Sequence, residues 1–339
     1  MLVYHVGMQI KTTVVGSYPC PVWLPGSKSG RLALRDAVMV VLKTQELAGI
    51  DVISDGELSR FDPAHPETNG MIDYFIGQMG GISTRLTQDE RREFRKQPGM
   101  GFRRNPAAVV RGEITAGTLD LEEQWHWVMD LTRKPLKFTV TSPFMLAKTL
   151  LDRHYPNLDE LCMAIAEVLR KQLLEINADV VQVDEANLPG HPDGAAIAAR
   201  AINHLLSGAK GSKGVHLCFG NYGGQTVQKG FWENLLNFFN SLNCDHLVLE
   251  FARRGYEELE VFKELKPDMT LGVGVIDIKD NQVESAETVA RRIEKAINLL
   301  GEQRIQWVHP DCGFWMLPRS VADAKMAALV KGRNLVQGQ

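Results

Sequence analysis

Short runs of apolar, often β-branched residues alternate along this chain with longer stretches in which apolar positions recur every three or four residues. The runs read as buried strands and the longer stretches as amphipathic helices. Strands are predicted at 11–17, 51–54, 136–140, 179–183, 215–219, 246–249, 270–275 and 304–308. Helices are predicted at 32–48, closed by Gly49, and at 143–151, 158–176, 195–206, 231–242, 256–265, 285–300 and 321–330. Strand followed by helix, repeated, implies parallel strands with helical crossovers, and eight repeats is the count that closes a (β/α)8 TIM barrel. The competing fold, an open doubly wound sheet, would lack this even spacing of polar residues at strand ends.

One stretch breaks the rhythm. Residues 62–134 are glycine-rich and charged, and they read as an inserted, lid-like excursion between the second and third strands. Its charge run at 88–96 is the pattern of a solvated helix face and carries no chemistry. The whole chain, 1–339, is then one catalytic barrel domain.

Composition narrows the partners. A 44% hydrophobic, 23% charged chain can fill a large core, and a net charge of −3 supplies no basic field for nucleic acid or an anionic membrane. No run reaches the ~18 apolar residues of a spanning helix. The first thirteen residues lack the order of a signal peptide, so a cytoplasmic protein is expected. Five cysteines, odd in number and scattered, are not a disulfide framework; such thiols serve packing, metal binding or catalysis.

In a barrel the C-terminal strand ends share one mouth. That places Ser17, Glu57, Ser142, Asp184, His216, Cys218, Glu250, Asp277 and Cys312 around a single cavity. His216 and Cys218, two apart on one strand, point the same way. Alone the pair reads equally well as a buried histidine beside an inert thiol. With Glu250 ending the sixth strand and Cys312 following the eighth, it becomes a set of one nitrogen, one oxygen and two sulfurs. Zinc accepts that mixture, whereas magnesium or calcium would want oxygen only.

The stretches Thr12-Thr-Val-Val-Gly-Ser17, Asp55-Gly-Glu57, Gln182-Val-Asp-Glu185, His216-Leu-Cys218, Glu250 and His309-Pro-Asp-Cys-Gly313 together resemble the C-terminal catalytic half of cobalamin-independent methionine synthase. The resemblance covers residues 10–335 and is weakest across 70–130. It implies a (β/α)8 barrel whose zinc activates the homocysteine thiolate for methyl transfer, with His216, Cys218, Glu250 and Cys312 as ligands. It also implies that Glu57 and Asp184 hold the substrate ammonium and that the turn at Gly16 and Ser17 receives its carboxylate. Ser142, on the same rim, joins the candidate substrate-binding residues. The chemistry suits the residues: a free thiol of pKa ~8.5 is mostly unreactive at neutral pH, and coordination removes its proton. Two ligand thiolates and a carboxylate make the metal electron-rich, which favours a sulfur nucleophile over hydrolysis.

The sequence departs from the family in two ways. No second, N-terminal barrel is present. Lys279 stands where the family has a histidine thought to protonate the folate leaving group, and with Glu57 and Asp184 it completes the candidate catalytic residues. A lysine of pKa ~10.4 is a poor acid near neutrality unless buried. This substitution favours a donor that needs no acid, methylcobalamin or a corrinoid protein, with methyltetrahydrofolate as the alternative. A zinc-dependent alkyltransferase acting on another thiol, of the epoxide:coenzyme M type, is a further alternative, but its acceptor has no ammonium for Glu57 and Asp184. A uroporphyrinogen decarboxylase-like barrel would leave the four ligands unexplained. A metal-dependent binding protein on an inactive barrel would show no ligand position that takes up a thiol. Asn221, Tyr222 and the Phe314-Trp315 pair, close in sequence to the cysteines, are expected to line the mouth.

Overall fold

Strands that are apolar on both faces need cover on both faces, and in this chain helices supply the outer one. The structure, a computed structural model, describes residues 9–24, 30–60, 69–97, 103–221, 226 and 228–339. In chain order the elements are β1 (Lys11–Thr12), α1 (Gly30–Ala48), α2 (Asp73–Ile76), β2 (Gly80–Ser83), α3 (Gln88–Phe94), β3 (Val109–Thr115) and α4 (Leu121–Met129). There follow β4 (Lys137–Thr141), α5 (Pro143–Lys148), β5 (Leu151–Asp152), α6 (Leu158–Leu173), β6 (Val180–Glu185), α7 (Ala195–Leu206) and β7 (Ser212–Leu217). The chain ends with α8 (Leu236–Ser241), β8 (His246–Leu249), β9 (Thr270–Ile276), α9 (Ala286–Leu300), β10 (Ile305–Pro310) and α10 (Arg319–Gln337).

Seven strands form one parallel sheet in the order β1-β10-β9-β8-β7-β6-β4. The predicted second strand appears only as two isolated parallel bridges, Thr13 to Val52 and Ile53 to Leu136. Those bridges nevertheless link the sheet's two edges through residues 52–53. Backbone bonds from the Val52 N–H to the Thr12 carbonyl and from the Lys137 N–H to the Ile53 carbonyl join them, and side chains add to these. Asp51 accepts the Thr12 N–H at 2.7 Å, and Gln45 Oε1 accepts the Ser54 N–H at 3.0 Å. Among the described residues no helix is long and apolar enough to cross a membrane.

Local chemistry starts the helices. Asn157 and Ser285 cap α6 and α9 by accepting the N–H three residues on. Ser142 caps α5, with Pro143 at its first position. The predicted 3.6-residue patterns at 231–242 and 256–265 fold partly or wholly as 3-10 turns instead.

The excursion has structure of its own. β2 and β3 pair antiparallel, and β3 then pairs parallel with β5, making a second, three-stranded sheet. The charge run forms α3, opened by a capping box between Thr87 and Glu90, and buries Phe94 beneath it. Ile72, Phe75, Val110, Leu121 and Trp125 belong to the same buried cluster as the main sheet. The described part of the excursion is therefore packed onto the core; residues 62–68 and 98–102 lie outside the described ones.

Trp232 anchors the wall behind β7. It is fully buried and meets Phe219 at 4.5 Å, Phe239 at 6.0 Å and Phe251 at 6.4 Å between ring centroids. Trp232→Ala should cost about 3–5 kcal/mol in urea unfolding, the usual loss when a large buried ring leaves a cavity.

Candidate active site

Parallel pairing of β6 with β7 sets Asp184 directly beside His216. His216 on β7 and Cys218, one residue past the strand's end, come together on the same side, as the sequence predicts. Asp184 Oδ1 lies 2.8 Å from His216 Nδ1, and both side chains are almost completely buried. The same oxygen accepts an N–H from Gln182 at 2.7 Å. A histidine held this way by a carboxylate turns its other ring nitrogen toward the cavity, the arrangement that orients metal-binding histidines.

Cys312 follows β10 and approaches Cys218 sulfur to sulfur at 3.7 Å. A ring nitrogen of His216 and the sulfurs of Cys218 and Cys312 all lie within 4.8 Å of one another. Glu250, the fourth expected ligand, stands outside this set. Its Oε2 pairs with the Lys279 ammonium at 3.2 Å, both groups being buried. Asp311, just before Cys312, accepts the N–H groups of Phe251, Ala252 and Arg253 at 2.8–2.9 Å. It thereby ties the segment after Glu250 to the end of β10. The bare Cα of Gly274 makes room for it, since a Cβ there would lie 2.2 Å from Asp311 Oδ1.

Two buried polar atoms at this rim, His216 Nε2 and Glu250 Oε1, have no hydrogen-bond partner among the described residues. Most buried polar groups in proteins are bonded, and this pair lies at the rim that carries two sulfurs, so it fits a cation. One imidazole, two thiols and a nearby carboxylate suit a borderline-soft divalent ion such as zinc. Contact with Cys312, together with burial, pushes the Cys218 thiol well above its ordinary pKa. A metal entering here must displace that proton.

The turn after β1 and the turn at residues 55–57 interlock. Ser54 Oγ donates to the Gly16 carbonyl at 2.8 Å, and the Tyr18 N–H donates to the Gly56 carbonyl at 3.0 Å. Glu57 sits in the left-handed region at φ 56°, alone among the described non-glycine residues, a conformation that persists where surroundings enforce it. Its Oε1 accepts the Thr139 hydroxyl at 2.5 Å and lies 3.7 Å from Arg60 Nη1. Burial raises Glu57 to about 7; Arg60 opposes the shift and the charge of Asp184 adds to it. Ser17 packs against Gly313, the residue after Cys312, so the expected carboxylate turn adjoins the cysteine.

Not every expected residue reaches the cavity in its expected role. Ser142 is fully buried, and its hydroxyl is engaged by the Phe144 N–H of the α5 cap. Asp277 accepts the Lys279 N–H and pairs with Arg253. Asn221 bonds the Gly313 carbonyl at 3.3 Å, and Phe314 is buried while Trp315 is half exposed. Tyr222 lies outside the described residues.

A family model described as the catalytic domain of cobalamin-independent synthase matches residues 10–333. The chain belongs to the cobalamin-independent synthase family. It is similar to proteins named methionine synthase from Thermococcus kodakarensis, 32% identical over 97% of this chain and 94% of that one, and from Sulfurisphaera tokodaii, 30% identical over 97% and 93%. Its fold is shared by a B12-independent methionine synthase from Shewanella solved with selenomethionine, at TM-score 0.80 and 23% identity, covering 97% of this chain and 98% of that one.

Family membership corrects one expectation. A family described as cobalamin-independent does not support methylcobalamin or a corrinoid protein as the methyl donor. The structure leaves Lys279 as poor a proton donor as the sequence suggests, so the family match alone overturns that donor. Lys279 is engaged by Glu250 and, through the same amine, by the Thr226 hydroxyl at 3.1 Å. Although burial opposes its charge, Glu250 and the two thiols hold its pKa above that of an ordinary lysine. It is the buried partner of a site carboxylate.

Arg60, Thr139, Lys137, Gln182 and Asp311 escape the sequence reading. Lys137, Thr139 and Thr141 alternate on one strand and Gln182 and Asp184 on the next, so a polar inward stripe was available as a signal.

Proposed function

We propose that the chain is a zinc-dependent S-methyltransferase that converts homocysteine to methionine with methyltetrahydrofolate as donor. In this reading residues 52–53 are the eighth stave of a closed (β/α)8 barrel. The observation that carries it is the clustering of His216, Cys218 and Cys312 within 4.8 Å beside the buried Asp184, in a member of this family.

The residues divide the work. Gly16 and Ser17 receive the substrate carboxylate, while Glu57 and Asp184 face its ammonium. His216, Cys218 and Cys312 would hold zinc, and Glu250, whose Oε2 pairs with Lys279, would offer its other oxygen as the fourth ligand. Bound zinc supplies a deprotonated substrate sulfur at neutral pH. Arg60 and Thr139 keep Glu57 aimed, and Asp184 keeps the ring of His216 turned. An S–CH3 bond forms as the donor's N–CH3 bond breaks, and the donor nitrogen takes a proton.

A donor grid tests this. The zinc-loaded protein given homocysteine should form methionine from methyltetrahydrofolate, and metal removal should stop it. Methionine from methylcobalamin alone would overturn the donor, and none from either donor would overturn the reaction.

A further inference from the structure

Four buried side chains form a line from the interior of the sheet to the site. Lys137 Nζ donates to the Val14 carbonyl at 2.8 Å and bonds Gln182 Oε1 at 2.7 Å. Gln182 Nε2 donates to the Val15 carbonyl at 2.8 Å and to Asp184 Oδ1 at 2.7 Å. Asp184 Oδ1 meets His216 Nδ1 at 2.8 Å. Lys137, Gln182, Asp184 and His216 are all 4% exposed or less, so water cannot substitute for any link.

Donor and acceptor roles along this line are forced. A backbone carbonyl can only accept, so the Gln182 atom facing Val15 must be its NH2. Its oxygen then faces Lys137, which supplies the matching donor. With the NH2 committed to Asp184, the carboxylate is held against His216, whose Nδ1 must carry the hydrogen between them. Nε2 is left bare, and it has no hydrogen-bond partner among the described residues.

We propose that Gln182, held in its orientation by Lys137, is a positioning residue that fixes through Asp184 which ring nitrogen of His216 faces Cys218 and Cys312. Neither side chain is among the candidate metal ligands, and Gln182 reaches the site only through Asp184. The carbonyls of Val14 and Val15 that anchor the line immediately precede Gly16 and Ser17. The same amide therefore couples the turn expected to take the substrate carboxylate to the histidine of the metal cluster.

The inference rests on the metal reading above, and its test keeps the two apart. Zinc affinity is measured by chelator competition on the full chain for wild type, Gln182→Met, Lys137→Met and the double variant, with folding followed by circular dichroism. Either single variant suffices if the other fails to fold. The dissociation constant should rise about tenfold or more in each, the usual scale for losing an outer partner of a metal-binding histidine. The double variant should be no worse than Gln182→Met, because the two act in one line. The zinc-loaded wild type should show a downfield, slowly exchanging His216 Nδ1–H resonance that the variants lose. Folded variants with wild-type affinity and resonance would overturn the relay alone. A wild type that binds no zinc would overturn the metal reading and the relay with it.

Discussion

Replacing Cys218 or Cys312 by serine should abolish stoichiometric zinc binding and lower methyl transfer about a thousandfold or more. That loss corresponds to roughly 4 kcal/mol of transition-state stabilisation, within what a metal supplies by activating a nucleophile. The two sulfurs are 3.7 Å apart and share their surroundings with His216, so neither can be replaced by the other. Serine keeps the shape but offers an oxygen that stays protonated near neutrality, so the ligand set loses a soft anion. Cys218 is buried, and the swap to a side chain of nearly the same size removes little core volume there. Folding should therefore be little changed in the metal-free protein, which circular dichroism checks. The thiol of Cys218, pushed up by Cys312 and by burial, must lose its proton for a metal to bind. Wild-type zinc affinity should consequently fall as pH falls. A serine variant that retains zinc at wild-type affinity and full activity would remove this cluster from the chemistry.

Much of this site is legible from alternation alone. A strand of period two cannot send His216 one way and Cys218 another, and parallel strands bring Asp184, His216 and Cys312 to the same rim. What resists reading is whatever depends on a partner far away in sequence. The last helix is predicted only to 330, yet α10 runs on through Gly332, whose bare Cα lets α9 pack close, since a Cβ there would lie 2.4 Å from Val289. Arg333, next along, appears solvated in sequence but is buried, donating to the Ile10 carbonyl at 2.8 Å and to Asp51 at 2.6 Å. That same Asp51 also accepts the Thr12 N–H, which leaves the second strand as no more than bridges. The excursion hides for a related reason. β2 is only four residues long, and β3 is completed by β5, which lies beyond β4 in the chain. Lys137 and Gln182 read as stray polar residues within apolar strands; the fold makes them partners of each other, of Asp184 and of the Val14 and Val15 carbonyls past β1.

Glu57→Gln should raise the KM for homocysteine about a hundredfold while leaving zinc content unchanged. A charged hydrogen bond to an ammonium is worth about 1.5–3 kcal/mol, and every 1.4 kcal/mol is tenfold. Gly16→Ala should mimic it from the other side of the turn. An added Cβ would lie 2.3 Å from Glu57 Oε1 and 3.2 Å from Thr139 Cγ2, so the carboxylate must leave the place that Thr139 and Arg60 fix. Protonation should do the same reversibly. Because burial raises Glu57 to about 7, the free protein holds it increasingly neutral below that pH. The kcat/KM for homocysteine should fall about tenfold per unit as pH drops beneath 7, and Glu57→Gln should flatten that limb. Stability runs the opposite way. A carboxyl whose folded pKa is raised binds its proton more tightly when folded, so its contribution is complete below its unfolded value and is lost as pH rises through about 7. Binding that weakens toward acid while this residue's share of stability grows there cannot come from acid unfolding. A pH profile of KM set beside a pH profile of urea midpoints therefore separates the two, and parallel profiles would exclude Glu57 from substrate recognition.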